Sequence, residues 1–308
     1  MMEAQSTERD ARPLITVITA VLNGARHLEQ CIQSVARQTY PRVEFIVIDG
    51  GSIDGSVQFI EQHRASIHHW VSEPDGGIYD ALNKGLRVAR GDWICVLGSD
   101  DYLTGDDTLE RLAASLADCP ASIKLVYGNV AMVDGQETLC IVGRPWHESK
   151  PALRESTAVP YTGLMHRRSW FEQYGLYDPS FRIAGDYEML LRGWPHEEAR
   201  HVPGAPAFAM RTGGISNASR TAFASLREVR KAQQLHDVQP LVFYKRKVFL
   251  HTVVRYILQK AWVESAMWKL QRMRQRSRPA TGPALEAGVT DPDPAGAHAF
   301  GRSSELTT

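Results

Sequence analysis

VEFIVIDGGSIDGS, residues 43–56, decides the fold. Seven residues rich in β-branched and aromatic side chains run into Asp49, and a glycine-rich turn follows at once. An apolar run of this length, bounded by turn residues, reads as a strand buried on both faces. The turn then gives way to a predicted helix over 56–63. The stretch before it repeats the pattern. ITVITAV, residues 15–21, is a strand with Asn23-Gly24 behind it, and Leu28, Cys31, Ile32, Val35 and Ala36 then recur at helical spacing until Tyr40-Pro41. The stretch after it continues with IHHWV at 67–71, a helix over 78–89 and WICVL at 93–97. Such alternation implies right-handed βαβ units, hence an α/β fold with a Rossmann-like, mostly parallel central sheet flanked by helices. Ligands of such sheets bind past the carboxyl ends of the strands.

Carboxylates stand at those ends twice. Asp49 closes one strand, and Asp100-Asp101 follow another in LGSDD, with no lysine nearby to neutralise them. Two adjacent carboxylates in a cleft repel each other, and a hard cation such as Mg²⁺ or Mn²⁺ relieves that cost while bridging to phosphate oxygens. Asp101 has a competing role as a turn residue, but Asp107 and Glu110 form a better helix start, an Asp-x-x-Glu capping box. Asp49 is equally suited to a turn before Gly50-Gly51. Its place beside Asn23 and the acidic pair favours a second role, accepting a hydrogen bond from a pyrimidine ring N–H. His68 and His69 lie on a predicted strand and point to opposite faces, so they cannot share an ion.

The composition is that of a globular protein, with 43% apolar and 23% charged residues. Cys31, Cys95, Cys119 and Cys140 lack zinc-site spacing and read as reduced core residues. The first 13 residues are polar and are expected to be flexible; without an apolar leader, a cytosolic location is expected. A net charge of zero hides an asymmetry. Residues 220–278 hold 14 Lys or Arg against three acids, Glu228, Asp237 and Glu264, interleaved with aromatic residues. This basic helical extension suits either an anionic membrane surface, which would make the protein peripheral on the inner face of the cell membrane, or a solvated face. Arg255 and Lys260 interrupt any run long enough to span a bilayer. Residues 279–308, poor in large apolar groups, are expected to be disordered.

VITAVLN, VEFIVIDGGSIDGS, SEPDGGIYDALNKGLRVARGDW and VLGSDD, in this order, resemble glycosyltransferase family 2, most closely the non-processive bacterial enzymes that build surface polysaccharides. The resemblance covers residues 14–216, with Glu73 to Gly85 matching E-P-D-x-G-I-Y-D-A-x-N-K-G. It implies a GT-A fold over 14–219, with a nucleotide-binding half at 14–130 and an acceptor half at 131–219. It also implies an inverting transfer of a sugar, hexosyl or N-acetylhexosaminyl, from a nucleotide-diphosphate donor. Uridine is the default base, and the acceptor is a saccharide or a lipid-linked one in cell-surface polysaccharide synthesis.

Carried over by residue, the resemblance makes Asp49 the contact to the donor's base, with the backbone from Ala20 to Asn23 beside it. Asp100 and Asp101 correspond to the D-x-D region, one binding ribose and the other a divalent metal, Mn²⁺ or Mg²⁺. Many relatives read Asp-x-Asp-Asp there, and this sequence has Gly98 in place of the first acid. The catalytic base falls on Asp186 in AGDYEMLLR, where many relatives read Glu-Asp and this chain reads Gly185-Asp186. Asp186 also suits a helix N-cap, and Glu188 can pair with Arg192 one turn on. Lys84, Arg182 and Arg211 are candidate phosphate contacts or solvated cations. His166 suits the acceptor side or the core. RTGGISN, 211–217, resembles a mobile loop near the donor.

Three rival classes lack their signatures. A phosphatase with an Asp-x-Asp nucleophile pair would need an acid at Gly51, a dinucleotide enzyme needs G-x-G-x-x-G where this chain has LNGARH, and a nucleotidyltransferase needs a basic glycine-rich loop after its first strand. A processive synthase would carry transmembrane helices and Q-x-x-R-W. No nucleic-acid partner is indicated. The non-enzymatic alternative is a nucleotide-sugar-binding or assembly protein of the same fold, and the residues that favour it are Gly98 and Gly185.

Overall fold

The computed structural model describes residues 12–214 and 221–240. In chain order the strands are β1 (Ile15–Val21), β2 (Val43–Asp49), β3 (His69–Ser72), β4 (Trp93–Val96), β5 (Tyr102–Leu103), β6 (Ile123–Gly128), β7 (Val130–Asp134), β8 (Glu137–Val142), β9 (Met165–Arg167), β10 (Glu198–Val202) and β11 (Phe208–Arg211). The helices are α1 (Ala25–Ala36), α2 (Ser56–Gln62), α3 (Ile78–Val88), α4 (Thr108–Ala117), α5 (Trp146–Ala152), α6 (Arg168–Tyr174), α7 (Gly185–Gly193) and α8 (Ala222–Leu235).

Seven strands form the central sheet in the order β10-β6-β9-β4-β1-β2-β3. All pairs are parallel except those of β9, which runs antiparallel between β4 and β6. The expected α/β architecture is therefore present, and the reason lies in the period-two alternation. Ile15, Val17, Phe45, Val47, Trp93 and Cys95 pack on the face covered by Leu28, Cys31, Ile32 and Val35 of α1. Ile18, Ile46, Ile48, Ile94 and Val96 pack on the other, under Ala81, Leu82 and Leu86 of α3. With both faces covered, no solvated polar side is needed, which is why these strands read as near-continuous apolar runs, their buried Thr16 and Glu44 bonded to each other and Glu44 also to Arg90. All four cysteines are buried and unbridged.

A second sheet is ordered β5-β11-β7-β8, so it joins the short strand at 102–103 to strands from 130 to 211. Its pairing of Ala209 with Tyr102 carries Arg211 alongside Asp101. The start of the basic extension is the described helix α8, whose Ala232 shares a buried cluster with Tyr187 and Leu190 of α7. Residues 1–11, residues 215–220 and everything from 241 to 308 lie outside the described residues.

Three local expectations differ from the structure. Strand β3 starts at His69 rather than 67, and His68 stands outside it, its Nδ1 accepting the Phe45 N–H at 3.1 Å. Helix α4 starts after Asp107 as expected, but the capping box is not formed. Asp107 pairs instead with Arg111 and Glu110 with Arg12, so ion pairs take both carboxylates away from the backbone. Asp186 is not the N-cap of α7; Ala184 is, and Asp186 sits inside the first turn.

Candidate active site at the strand ends

The loop after β1 is stitched to the loop after β2. Asn23 has φ 52°, its N–H donates to Ser52 Oγ at 2.7 Å, and its Oδ1 accepts the Ile53 N–H at 3.0 Å. Gly24 N–H donates to Ser56 Oγ at 3.0 Å and Ala25 N–H to Asp54 Oδ2 at 2.9 Å, so the second loop satisfies donors that the start of α1 leaves free. Ser52, Asp54 and Ser56 were not singled out from the sequence. Their alternation in GGSIDGS is the signal that would have found them.

Asp49 ends β2 opposite Val21 and is fully buried. Its Oδ2 accepts the N–H groups of Gly51 and Ser52 and the Ser72 hydroxyl, at 3.0, 2.9 and 2.7 Å. The turn role is thus real. It uses only one oxygen, since Oδ1 is buried with no partner among the described residues. A buried acceptor without a donor is costly, so it calls for a ligand N–H or water. Ala20 lies on β1 beside Ile48.

Asp100 and Asp101 lie just past β4. A Cβ built on Gly98 would stand 2.7 Å from Asp101 Oδ2 and 3.1 Å from Asp100 Oδ1, so the two carboxylates converge over a position that only glycine leaves open. Asp101 is buried, its Oδ2 accepting from Thr162 Oγ1 at 2.6 Å and its Oδ1 from the Arg211 N–H at 3.1 Å. Burial, and then the charge of Asp100, push its carboxyl up to about 7. Asp100 is half-buried and accepts no hydrogen bond among the described residues. One carboxylate held in place, one without a partner, and a repulsion between them make a donor set that suits a divalent cation. Thr162 has no motif to betray it; only the return of the chain to β9 brings it there.

Asp186 belongs to a different neighbourhood. Its Oδ1 accepts the Tyr187 N–H at 2.8 Å and faces the Tyr79 hydroxyl at 3.4 Å, which itself donates to Ile183 O at 2.8 Å. A Cβ on Gly185 would lie 2.7 Å from the Tyr79 ring, so the second departure from the family pattern is also a place filled by a neighbour. Burial raises the Asp186 carboxyl to about 6, partly opposed by the hydrogen bonds from Tyr187 and Tyr79. Glu188 pairs with Arg192 at 2.7 Å, as its spacing implies, and also with His236 at 2.8 Å.

The remaining candidates are engaged in the structure. Lys84 pairs with Glu73 at 2.7 Å and donates to Pro74 O at 3.2 Å. Arg182 donates to Gly76 O, which ties the segment before α7 to the loop before α3. The Arg211 guanidinium donates to Gln30 and lies 5.1 Å from the centre of the Tyr102 ring. His166 has no exposed surface; it packs among Tyr161, Trp170 and Phe171, and burial pushes its imidazole down to about 3. Its position is the core one of its two readings. The loop 211–217 is described as far as Gly214, where a Cβ would meet Asp100 Oδ2 at 3.3 Å.

The mostly parallel sheet, with Asp49 ending β2 and Asp100 and Asp101 just past β4 on either side of β1, has the fold of GT-A glycosyltransferases. The profile of Glycosyl transferase family 2 matches residues 16–174, and the chain belongs to this family. A PGL/p-HBAD biosynthesis glycosyltransferase of Mycobacterium bovis BCG is 31% identical over 215 residues, which cover 67% of this chain and 80% of the relative. The fold is similar to that of Staphylococcus aureus TarS residues 1–349 bound to UDP-GlcNAc, with a TM-score of 0.56 at 14% identity over 85% of this chain and 80% of that one. It is also similar to the mannosyltransferase PcManGT of Pyrobaculum calidifontis with GDP-Man and Mn²⁺, with a TM-score of 0.56 at 19% identity over 89% and 77%.

Proposed function

We propose that this protein is an inverting glycosyltransferase that moves a sugar from a nucleoside-diphosphate donor to a hydroxyl of a saccharide or lipid-linked acceptor, with Asp186 as general base. The observation that carries the donor site is the buried Oδ1 of Asp49, without a partner among the described residues, at the end of β2, with Asp100 and Asp101 converging past β4 on the other side of β1. In this reading Oδ1 accepts a ring N–H of the base, while the stitched backbone from Ala20 to Asn23 forms the wall beside it. Asp100 and Asp101 would hold a divalent cation, which when bound supplies Lewis-acid stabilisation of the departing diphosphate. The structures of relatives that carry UDP-GlcNAc, or GDP-Man with Mn²⁺, support both the donor class and the ion.

Asp186 takes the proton from the acceptor hydroxyl as that oxygen attacks the anomeric carbon from the face opposite the leaving group, and the configuration inverts. A carboxyl raised to about 6 is ionised at neutral pH yet basic enough to accept a proton as the bond forms. The non-enzymatic reading rested on Gly98 and Gly185. In each case the space of a missing side chain is occupied by the Asp pair or by Tyr79, which supports an active site built differently over a degenerate one.

No helix among the described residues is long and apolar enough to cross a membrane. Attachment of residues 220–278 to an anionic surface is a proposal, and within that segment only 221–240 are among the described residues.

The test is a thermal-shift screen with UDP, GDP, dTDP and CMP, each with and without Mn²⁺. A ligand that binds only the native state raises the melting temperature by mass action. The expected outcome is a rise with one nucleotide that requires Mn²⁺ and is lost in Asp101→Ala. No rise with any pair would overturn the donor site.

A further inference from the structure

The basic segment 220–278 carries three acids, and one of them is not on a solvated face. Glu228, on α8, directs its carboxylate at the backbone just ahead of α7. Its Oε1 accepts the Arg182 N–H at 2.9 Å, and its Oε2 accepts those of Ile183 and Ala184, both at 2.8 Å. The N-cap residue Ala184 has no side chain to cap α7, and while Asp186 takes the Tyr187 N–H, a carboxylate from a distant helix sits at the start of the helix, where negative charge is favoured. The turn 182–184 is gripped from the other side as well, since the Tyr79 hydroxyl donates to Ile183 O. The rest of α8 keeps register along the same stretch. Lys231 donates to Ser180 Oγ at 2.7 Å, Gln233 Nε2 to Tyr187 Oη at 3.3 Å, and His236 pairs with Glu188.

We propose that Glu228 is a positioning residue for the catalytic base: it fixes the turn 182–184 and so sets where the Asp186 carboxylate points. The inference rests on the reading of Asp186 as the base. Two consequences follow from its charge and geometry. Three N–H groups held by one carboxylate leave the turn little freedom, and Asp186 comes only two residues after the last of them. The charge of Glu228 also adds to burial in raising the Asp186 carboxyl. Facing Asp186 besides Glu228 are the N–H of Tyr187 and the Tyr79 hydroxyl, with Tyr177 near enough for its own hydroxyl to feel the Asp186 charge. The first helix of the extension is therefore part of the active site's frame.

The test uses the full chain with Mn²⁺ and a panel of UDP-, GDP- and dTDP-sugars, reading release of nucleoside diphosphate with water as acceptor. Four proteins are compared: wild type, Glu228→Gln, Lys231→Met as a second change on the same helix, and Asp186→Asn. For Glu228→Gln the expected result is a fall in kcat of about 10- to 100-fold, the scale of a misplacement on the order of 1 Å, with donor KM within about twofold. The acidic limb of its kcat profile should also move to lower pH, because the charge that raises Asp186 is gone. Lys231→Met should lower the melting temperature and leave that limb in place. Wild-type kcat and an unmoved limb in Glu228→Gln, while Asp186→Asn has lost turnover, would overturn the role of Glu228 alone. Full turnover in Asp186→Asn would overturn the base itself. Should Glu228→Gln not fold, Glu228→Asp gives the same readout: partial recovery of kcat and of the limb supports positioning, and wild-type values overturn it.

Discussion

The proposed donor side and the proposed base side of this site are built in different ways. Asp49 ends β2 and Asp100 and Asp101 follow β4, strands that flank β1 in one parallel ladder, and these three acids lie within 60 residues of one another, although Thr162 and the Arg211 N–H reach Asp101 from farther along the chain. Asp186 is placed by groups more than 40 and more than 100 residues away, Glu228 on α8 and Tyr79 on α3. The placing of the donor-side acids is a property of strand ends, and so it travels with short motifs, with only the hold of Thr162 and the Arg211 N–H on Asp101 coming from elsewhere. The base side is a property of how three helices meet, and each can change only if the others follow.

The largest test of that contrast is Asp186→Asn. Loss of a general base costs about 10²- to 10⁴-fold in kcat, and donor KM should hardly change because Asp186 touches no donor group in this reading. Stability should move the other way. The Asp186 carboxyl lies above its ordinary value of 3.8, at about 6, so the fold favours its protonated form. Its contribution is fully present below the unfolded value and declines as pH rises to about 6. The Asn variant has no such decline and should melt higher than wild type at pH 7, by about 2–4 °C for each kcal/mol relieved. In the wild type, kcat should climb as pH rises through about 6 and then level off; a profile flat from pH 5 to 8 would place the base elsewhere.

Next in size is Asp100→Ala. It removes the carboxylate that has no hydrogen-bond partner among the described residues, so turnover with Mn²⁺ should fall at least about 100-fold, the nucleotide-induced thermal shift should lose its Mn²⁺ dependence, and the unliganded melting temperature should not drop. A large drop would show instead that Asp100 is structural. Asp49→Asn should act more narrowly. The amide oxygen can still accept from Gly51, Ser52 and Ser72, but the NH₂ would then face the ring N–H of the base, donor to donor. An unmade buried bond costs about 1–3 kcal/mol, which corresponds to a donor KM roughly 5- to 150-fold higher at near-constant kcat. The smallest effect belongs to Lys84→Met. Its ammonium is already paired with Glu73, and such pairs near the surface contribute about 0–1 kcal/mol, so donor KM should change by less than about fivefold. A larger rise in KM would restore Lys84 as a phosphate contact.

How much of this was legible before folding depended on where a residue's partners lie. The alternating apolar runs, the turns and the acids that end strands were readable, because a strand buried on both faces is mostly apolar along its length and a site past its end must begin there. The roles of Ser52, Asp54 and Ser56 were within reach of the same reading. Thr162 was not, since nothing around it says that β9 returns between β4 and β6 and brings its hydroxyl to Asp101. The Asp107–Glu110 capping box was a plausible local pattern that lost to ion pairs with Arg111 and Arg12.

Gly98 and Gly185 show the limit most plainly. As letters they are acids lost from a family pattern. In three dimensions each is the gap into which a neighbour fits, two carboxylates in one case and the Tyr79 ring in the other. Glu228 likewise reads as one acid in a basic helix until α8 is laid against α7. The sequence by itself determined the parallel sheet, its burial and the acids at its strand ends, because those follow from periodicity and chain order. Only the tertiary structure decided which oxygen of Asp49 is left without a donor, which of Asp100 and Asp101 the protein itself holds, and what aims Asp186. Those depend on distances between residues that the chain brings together only by packing.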